Sequence, residues 1–351
     1  MPRLVSLLTL ALLSAAVQAS PSPAGLWQGR IGKQDAVACF NADGSGLYYY
    51  LKHDNDLVLN PEGHNTWREE SLGSARLTGR WTLNQISAET LEGDWTTSKG
   101  KSATPIRLAR LALADKSSGK DACSDAAFLQ PRLLALPREA GAAQDTGGLR
   151  WQEVSAFKGA VSGVRLIETQ PSPLGQALEK RLDESLAARF ECRAGVADRE
   201  PGSRDMWSFE SHEKLLHVSP AFVVLAWQSA TDCGGAHPDG GDGAVVLDRR
   251  SGTELKPENW FKPPYAREIS AGSALGKLLI APYRKGEPEC LEAVRQSFGW
   301  VSWPTPAGMV FQPGVAHVAI GCVDQHTLPW KTVAPFLNDQ GQQLMREFAP
   351  R

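Results

Sequence analysis

The chain has 351 residues, with 37 Lys and Arg against 39 Asp and Glu and a net charge of -2. That length is enough for more than one core, and a near-neutral balance without a basic run excludes a surface that tracks a phosphate backbone, so nucleic acid is not an expected partner. None of the six cysteines (Cys39, Cys123, Cys192, Cys233, Cys290 and Cys322) forms a CxxC pair, which argues against structural zinc and, for an even set, in favour of disulfides in an oxidising compartment.

Arg3 precedes an apolar stretch from Leu4 to Val17 that is broken only by Ser6, Thr9 and Ser14. A membrane helix needs roughly 20 apolar residues, whereas a charged start, a short apolar run and small residues before a polar, Pro-rich segment describe a signal peptide. Val17-Gln18-Ala19 places the expected cleavage after Ala19, giving a mature chain from Ser20. The next cysteine is Cys39, too far on to take a lipid at a lipoprotein cleavage site. No later run approaches membrane length, so a periplasmic or secreted protein without a membrane span is expected.

From Gly25 to Leu111, apolar and polar residues alternate between short turns, as in antiparallel β structure. The strand signals are Ala36 to Phe40, Gly46 to Leu51, Asn65 to Ser71, Arg76 to Leu83, Thr90 to Thr96 and Thr104 to Leu111, with reversals at Asn41 to Gly44 and Asn60 to Gly63. A Gly-x-aromatic unit recurs at Gly25-Leu26-Trp27, Gly46-Leu47-Tyr48, Gly79-Arg80-Trp81 and Gly93-Asp94-Trp95. Its intervals are irregular, which rules out a solenoid. The first unit resembles the Gly-x-Trp of lipocalins, but the segment is shorter than a closed eight-stranded ligand barrel needs, so a meander or partly open barrel is expected. Tyr49 should face away from Tyr48 and Tyr50; packing is its favoured role, with an exposed binding surface as the alternative.

Residues 112–148 turn to Ala, Gly, Ser, Lys and Asp with Pro131 and Pro137, and read as a linker between a β domain at 20–111 and a second domain at 149–351. In the second domain Leu174, Leu178, Leu182, Leu186 and Phe190 form one stripe of an amphipathic helix. Met206 to Val218 and Ala221 to Ser229 read as paired strands, Gly243 to Asp248 as another, and Arg249 to Gly252 as a reversal. Ile269 to Ile280 and Pro288 to Phe298 read as helices, Met309 to Gln312 and Ala316 to Cys322 as strands, and Lys331 to Leu337 as a short helix. Strands and helices do not alternate regularly, so the expected class is α+β, with an antiparallel sheet and flanking helices. Domain locality favours pairing Cys39 with Cys123, Cys192 with Cys233, and Cys290 with Cys322.

Three motifs invite chemistry and fail it. His212-Glu213-Lys214-Leu215-Leu216-His217 spaces its histidines by five where a zinc-protease helix needs four, and on a strand that spacing sends them to opposite faces. Lys99-Gly100-Lys101-Ser102 lacks the leading glycine of a phosphate loop, and Gly272-Ser273-Ala274-Leu275-Gly276 has its serine one place early for a nucleophile elbow. The strongest signature is Thr231 to Asp239 with Gly240-Gly241-Asp242-Gly243 after it. Gly234 and Gly235 allow positive φ, and His237, Asp239 and Asp242 lie in one loop. As a catalytic set these three need a further group from elsewhere. No metal or cofactor is expected.

Gly234-Gly235-Ala236-His237-Pro238, the strand Val245 to Asp248, Ser251-Gly252-Thr253-Glu254-Leu255 and Trp260-Phe261 resemble consecutive motifs of an exported domain. That domain occurs in the ectodomains of lysozyme-sensing anti-sigma factors (the RsiV type) and beside peptidoglycan deacetylases of the PdaC type. Met309 to His317, Val318 to Gly321 and Trp330 to Leu337 are similar to its closing segments, so the resemblance spans about Trp151 to Leu337. His317 stands where the family has an aromatic residue, and Cys322 ends a strand that usually continues. The resemblance implies an envelope-facing binding module whose partner is peptidoglycan or a lysozyme-like protein, because the family's catalytic activity resides in a separate domain that has no counterpart here. Binding would then centre on Gly234, Gly235, His237, Asp239 and Asp242. The alternative is an envelope hydrolase or deacetylase using His237 with Asp239 or Asp242.

Overall fold

The computed structural model describes residues 22–53, 55–72, 76–100, 102–114, 122–195, 207–234 and 237–348; the expected signal peptide and its cleavage point lie outside them. The fold is α+β, and the chain divides into two compact units, with the boundary in sequence between Pro131 and Arg132.

The first unit is an up-and-down meander of β1 (Gly25–Ile31), β2 (Gln34–Phe40), β3 (Gly46–Tyr50), β4 (Asp56–Gly63), β5 (Thr66–Ser71), β6 (Leu77–Ile86), β7 (Thr90–Thr97) and β8 (Ala103–Leu111). The barrel closes, contrary to the expectation from length, because β1 pairs with β8 from Leu26↔Leu111 to Ile31↔Ile106. Five- to ten-residue strands make closure possible in so short a segment, and glycines let neighbouring strands approach. A Cβ at Gly29 would stand 2.2 Å from the Arg107 carbonyl oxygen, and one at Gly93 would stand 2.1 Å from that of Thr82. The reversal expected at Asn60 to Gly63 instead belongs to β4, and the chain turns at Asn65, where φ is 55°.

Three of the four Gly-x-aromatic units converge on one buried carboxylate. Glu69 is 2% exposed; its Oε2 accepts from Tyr48 Oη (2.6 Å), Trp95 Nε1 (2.5 Å) and Trp81 Nε1 (3.3 Å), and its Oε1 from Thr78 Oγ1 (2.7 Å). Gly79, paired with Glu69, makes room: a Cβ there would lie 2.5 Å from the Trp95 indole nitrogen. Burial first, and the Glu69 charge second, push the Tyr48 phenol well above its ordinary value, so it remains a donor. The fourth ring, Trp27, is covered by the Arg110 guanidinium at 4.1 Å. Tyr49 is buried on the other face against Phe128 and donates to its carbonyl, which excludes the exposed tyrosine surface.

The segment 112–148, Ala-rich and read as a linker, carries α1 (Ala126–Ala135), β9 (Glu139–Ala140) and β10 (Gln144–Thr146). After it come β11 (Leu149–Ala156), β12 (Val161–Leu166), α2 (Pro173–Gly195), β13 (Ser208–Val218), β14 (Phe222–Asp232), β15 (Asp239–Asp248) and β16 (Glu254–Leu255). These strands form one sheet in the order β10-β11-β12-β13-β14-β15-β16, with β9 beside β11; it is mixed, because β12 and β13 run parallel. The leucine stripe of α2 is buried on one face of this sheet, and Arg181 on α2 pairs with buried Glu213 on β13, Nε to Oε1 at 2.9 Å.

The opposite face meets a second layer: α3 (Ala274–Ile280), α4 (Pro288–Arg295), the small sheet β17 (Trp300–Thr305), β18 (Gly308–Pro313) and β19 (His326–Pro329), then α5 (Trp330–Val333) and α6 (Asp339–Phe348). Phe222, Val224, Ala244 and Val246 of the large sheet share a core with Trp260, Phe261, Leu275, Phe311 and Phe348. The expected strand from Ala316 to Cys322 is a 3-10 helix (His317–Cys322), because β19 already occupies that edge of β18 through Phe311↔His326. The helix expected from Ile269 starts only at Ala274, where Ser273 Oγ accepts from Gly276 N at 3.0 Å.

Disulfides join Cys39 to Cys123, Cys192 to Cys233 and Cys290 to Cys322, with Cα separations of 5.1, 4.6 and 5.1 Å. Among the described residues no helix is long and apolar enough to cross a membrane.

Removing the Glu69 carboxylate strands two buried donors, on Tyr48 and Trp81, and two half-buried ones, on Thr78 and Trp95. Glu69→Ala should cost about 2–6 kcal/mol, at roughly 1–3 kcal/mol for each buried donor left unsatisfied, read as a lower urea midpoint of the barrel transition by tryptophan fluorescence in the full chain; an unchanged midpoint would show that the cluster does not hold the barrel. In the second unit the His217 ring lies against Phe348 at 4.8 Å, tilted by 32°, and burial lowers its pKa from the ordinary 6.5. A depressed histidine stabilises the fold above its unfolded-state value, and that stability is lost as pH falls through the folded-state value. Melting temperature should therefore fall on acidification below about 6.5, and His217→Phe should flatten that fall. The remaining slope belongs partly to His326, which is lowered by burial and raised less by Asp324.

Candidate functional site

The second unit brings four polar side chains into one row. The ladder pairs Ser162 with His212, His212 with Gln228, and Gln228 with Asp242, so adjacent strands β12, β13, β14 and β15 each contribute one residue. Residues directly opposite in a ladder share a face. Here it is the face of Val224, Ala244 and Val246, away from α2, beyond the point where the small sheet covers it.

Local sequence explains how the row stays open. Gly241 and Gly243 flank Asp242 on the α2 side, where the Trp227 indole takes their missing side-chain volume: a Cβ at Gly243 would lie 3.1 Å from Trp227 Nε1, and one at Gly241 3.4 Å from the ring. The ring thus braces a glycine-weakened strand, leaving Asp242 to project from the other face.

Ser162 Oγ and His212 Nδ1 are 3.1 Å apart, and the His212 Nε2 has no protein partner among the described residues. The Gln228 amide likewise has none there. Asp242 Oδ2 accepts from Gln325 Nε2 at 2.6 Å, and Gln312 Nε2 reaches the Asp242 carbonyl at 3.0 Å. Together with Glu153, Lys214, Leu216 and Trp303, these groups line a cleft of about 590 Å³, within the range of small-ligand sites. Ser162 and His212 have the contact of a nucleophile and base, but Asp242, two strands from His212, is held by Gln312 and Gln325 and does not orient the imidazole, so the geometry is not that of a triad. What the row offers is directed hydrogen bonding.

The loop residues singled out from sequence do not gather. His237 is exposed, its Nδ1 3.0 Å from the Pro238 carbonyl oxygen, a contact it can make only as a donor. Asp239 is exposed and accepts from Gly240 N at 2.8 Å. Gly234 uses the expected positive φ, at 95°, next to disulfide-bonded Cys233; Gly235 lies outside the described residues. Of the three acidic and imidazole candidates, Asp242 lines the cleft.

His212 and His217 also depart from expectation. A β-bulge between Leu215 and His217 puts both on one face, since His217 pairs with Val224 and His212 with Gln228. Those partners are still four residue steps apart on β14, about 13 Å along the strand, and among the described residues no group of three or more potential ligands surrounds a metal position. Ser162, Gln228, Lys214 and Gln325 were missed in the sequence because each is an ordinary polar residue on an alternating strand or loop.

No family model matches the chain, and no curated protein matches it. Two solved structures of DUF3298 family proteins are similar to it. The one from Pseudomonas aeruginosa PAO1 is 17% identical and covers 58% of this chain and 95% of its own, with a TM-score of 0.36. The one from Bacteroides fragilis NCTC 9343 is 13% identical and covers 62% of this chain and 98% of its own, also with a TM-score of 0.36.

Proposed function

We propose that the protein is an exported binding protein of the cell envelope, that the cleft over β12 to β15 is its binding site, and that its ligand is a component of peptidoglycan. The observation that carries this reading is the row Ser162, His212, Gln228 and Asp242, in which the His212 Nε2 and the Gln228 amide have no protein partner among the described residues, in a cleft of small-ligand size and without a nucleophile, base and orienting acid assembled. Its three disulfides suit an oxidising compartment.

The test is retention of the oxidised protein (residues 20–351) on insoluble peptidoglycan, with immobilised lysozyme in parallel. Retention on peptidoglycan should fall at least tenfold in Gln228→Ala/Asp242→Ala, as expected for the loss of about 1.4 kcal/mol or more, and should persist in His237→Ala. Loss in His237→Ala alone would move the site to the 234–242 loop. Retention on lysozyme and not on peptidoglycan would replace the ligand with a protein, and retention on neither would end the reading.

A further inference from the structure

Resting on the proposed binding cleft, the geometry of its floor says which part of an envelope polymer it fits. A ligand lying along the row crosses the strands, meeting one polar side chain at each strand. Strands are about 4.8 Å apart, so the row from Ser162 to Asp242 is a ruler of three steps, roughly 14 Å long. An extended peptide advances only about 3.3–3.6 Å per residue, so its amides fall out of step with the row within two residues. A 1,4-linked pyranose chain, whose linking oxygens lie at opposite ends of each ring, advances by about one strand spacing per sugar. Each strand therefore meets one sugar; in a β-linked chain successive rings are turned over, so like substituents return to the same face at every second strand.

The chemistry of the row agrees with that spacing. Hydroxyl and acetamido groups both donate and accept, as does the Gln228 amide, while the His212 Nε2 can do either according to tautomer; Ser162, 4% exposed, holds the His212 ring through Nδ1. Asp242 is engaged by Gln325, and the charged groups that line the cleft, Glu153, Lys214 and Asp242, are of mixed sign, so there is no run of one charge that would select an ionic ligand. Sugar rings also present C–H faces, and Leu216, 51% exposed at the bulge of β13, and Ala226, the ladder partner of Lys214, give the same cleft apolar floor.

We infer that the cleft recognises a 1,4-linked acetamido-sugar chain of three to four units laid across β12 to β15, and does not recognise the peptide of the same polymer.

The experiment is calorimetric titration of the full mature chain with N-acetylglucosamine and its 1,4-linked di-, tri- and tetramer, and separately with the free stem peptide of peptidoglycan. Affinity should climb at least tenfold from monomer to trimer and level off by the tetramer, the peptide should not bind, and Gln228→Ala should weaken the trimer about tenfold with an unchanged circular dichroism spectrum. Binding of the peptide, or saccharide binding independent of length or of Gln228, would overturn the inference. Retention on insoluble peptidoglycan with no binding of any oligomer would also overturn it while leaving the cleft as a binding site. Failure of peptidoglycan as well would remove both.

Discussion

The register of β13, β14 and β15 is the constraint on which the second unit depends. Side chains alternate between faces with a period of two, so a slip of one residue would invert every one of them. In the observed register Val223, Leu225, Val245 and Leu247 face the leucine stripe of α2, while Phe222, Val224, Ala244 and Val246 face the second layer. The same alternation, continued past the end of the covered region, places Gln228 and Asp242 in line with His212. Packing and cleft-lining groups are therefore set by one ladder, and the hydrophobic half of the strands enforces the position of the polar half. The glycines at 241 and 243 belong to this device, since the braced indole of Trp227 stands where their side chains would be.

The first unit is organised around a different kind of contact. An isolated buried carboxylate is heavily disfavoured, yet Glu69 lies within the barrel with four donors around it. Those donors come from β3, β6 and β7, so the carboxylate ties together strands that the ladder alone would connect only through their neighbours. The interior is consequently filled by Trp27, Phe40, Tyr48, Trp67 and Trp81. The glycines of the repeated units let these large rings and neighbouring backbones approach closely enough to meet.

Much of this was legible locally. Alternation located six of the barrel strands, and four-residue spacing of leucines located α2, because both signals lie within one element. Closure was not legible, since Leu26 pairs with Leu111 through a contact that no local pattern records. The 3-10 helix at His317–Cys322 was hidden for a related reason: its residues suit a strand, but β19 takes the available edge. The site shows the same limit most clearly. His237, Asp239 and Asp242 are neighbours in sequence and are split between a loop and a strand, whereas Ser162, His212, Gln228 and Asp242 are scattered in sequence and become neighbours only through strand pairing.

The cystines pair in chain order, first with second, third with fourth and fifth with sixth, and none joins the two units. For a chain threaded amino end first into an oxidising space, each cysteine's native partner is the adjacent one in order of arrival. Oxidation during emergence then yields the native connectivity directly, and reshuffling by an isomerase is not required. In such a chain the barrel would close its covalent loop before the second unit had finished crossing, and maturation would be a succession of independent closures and not one global search.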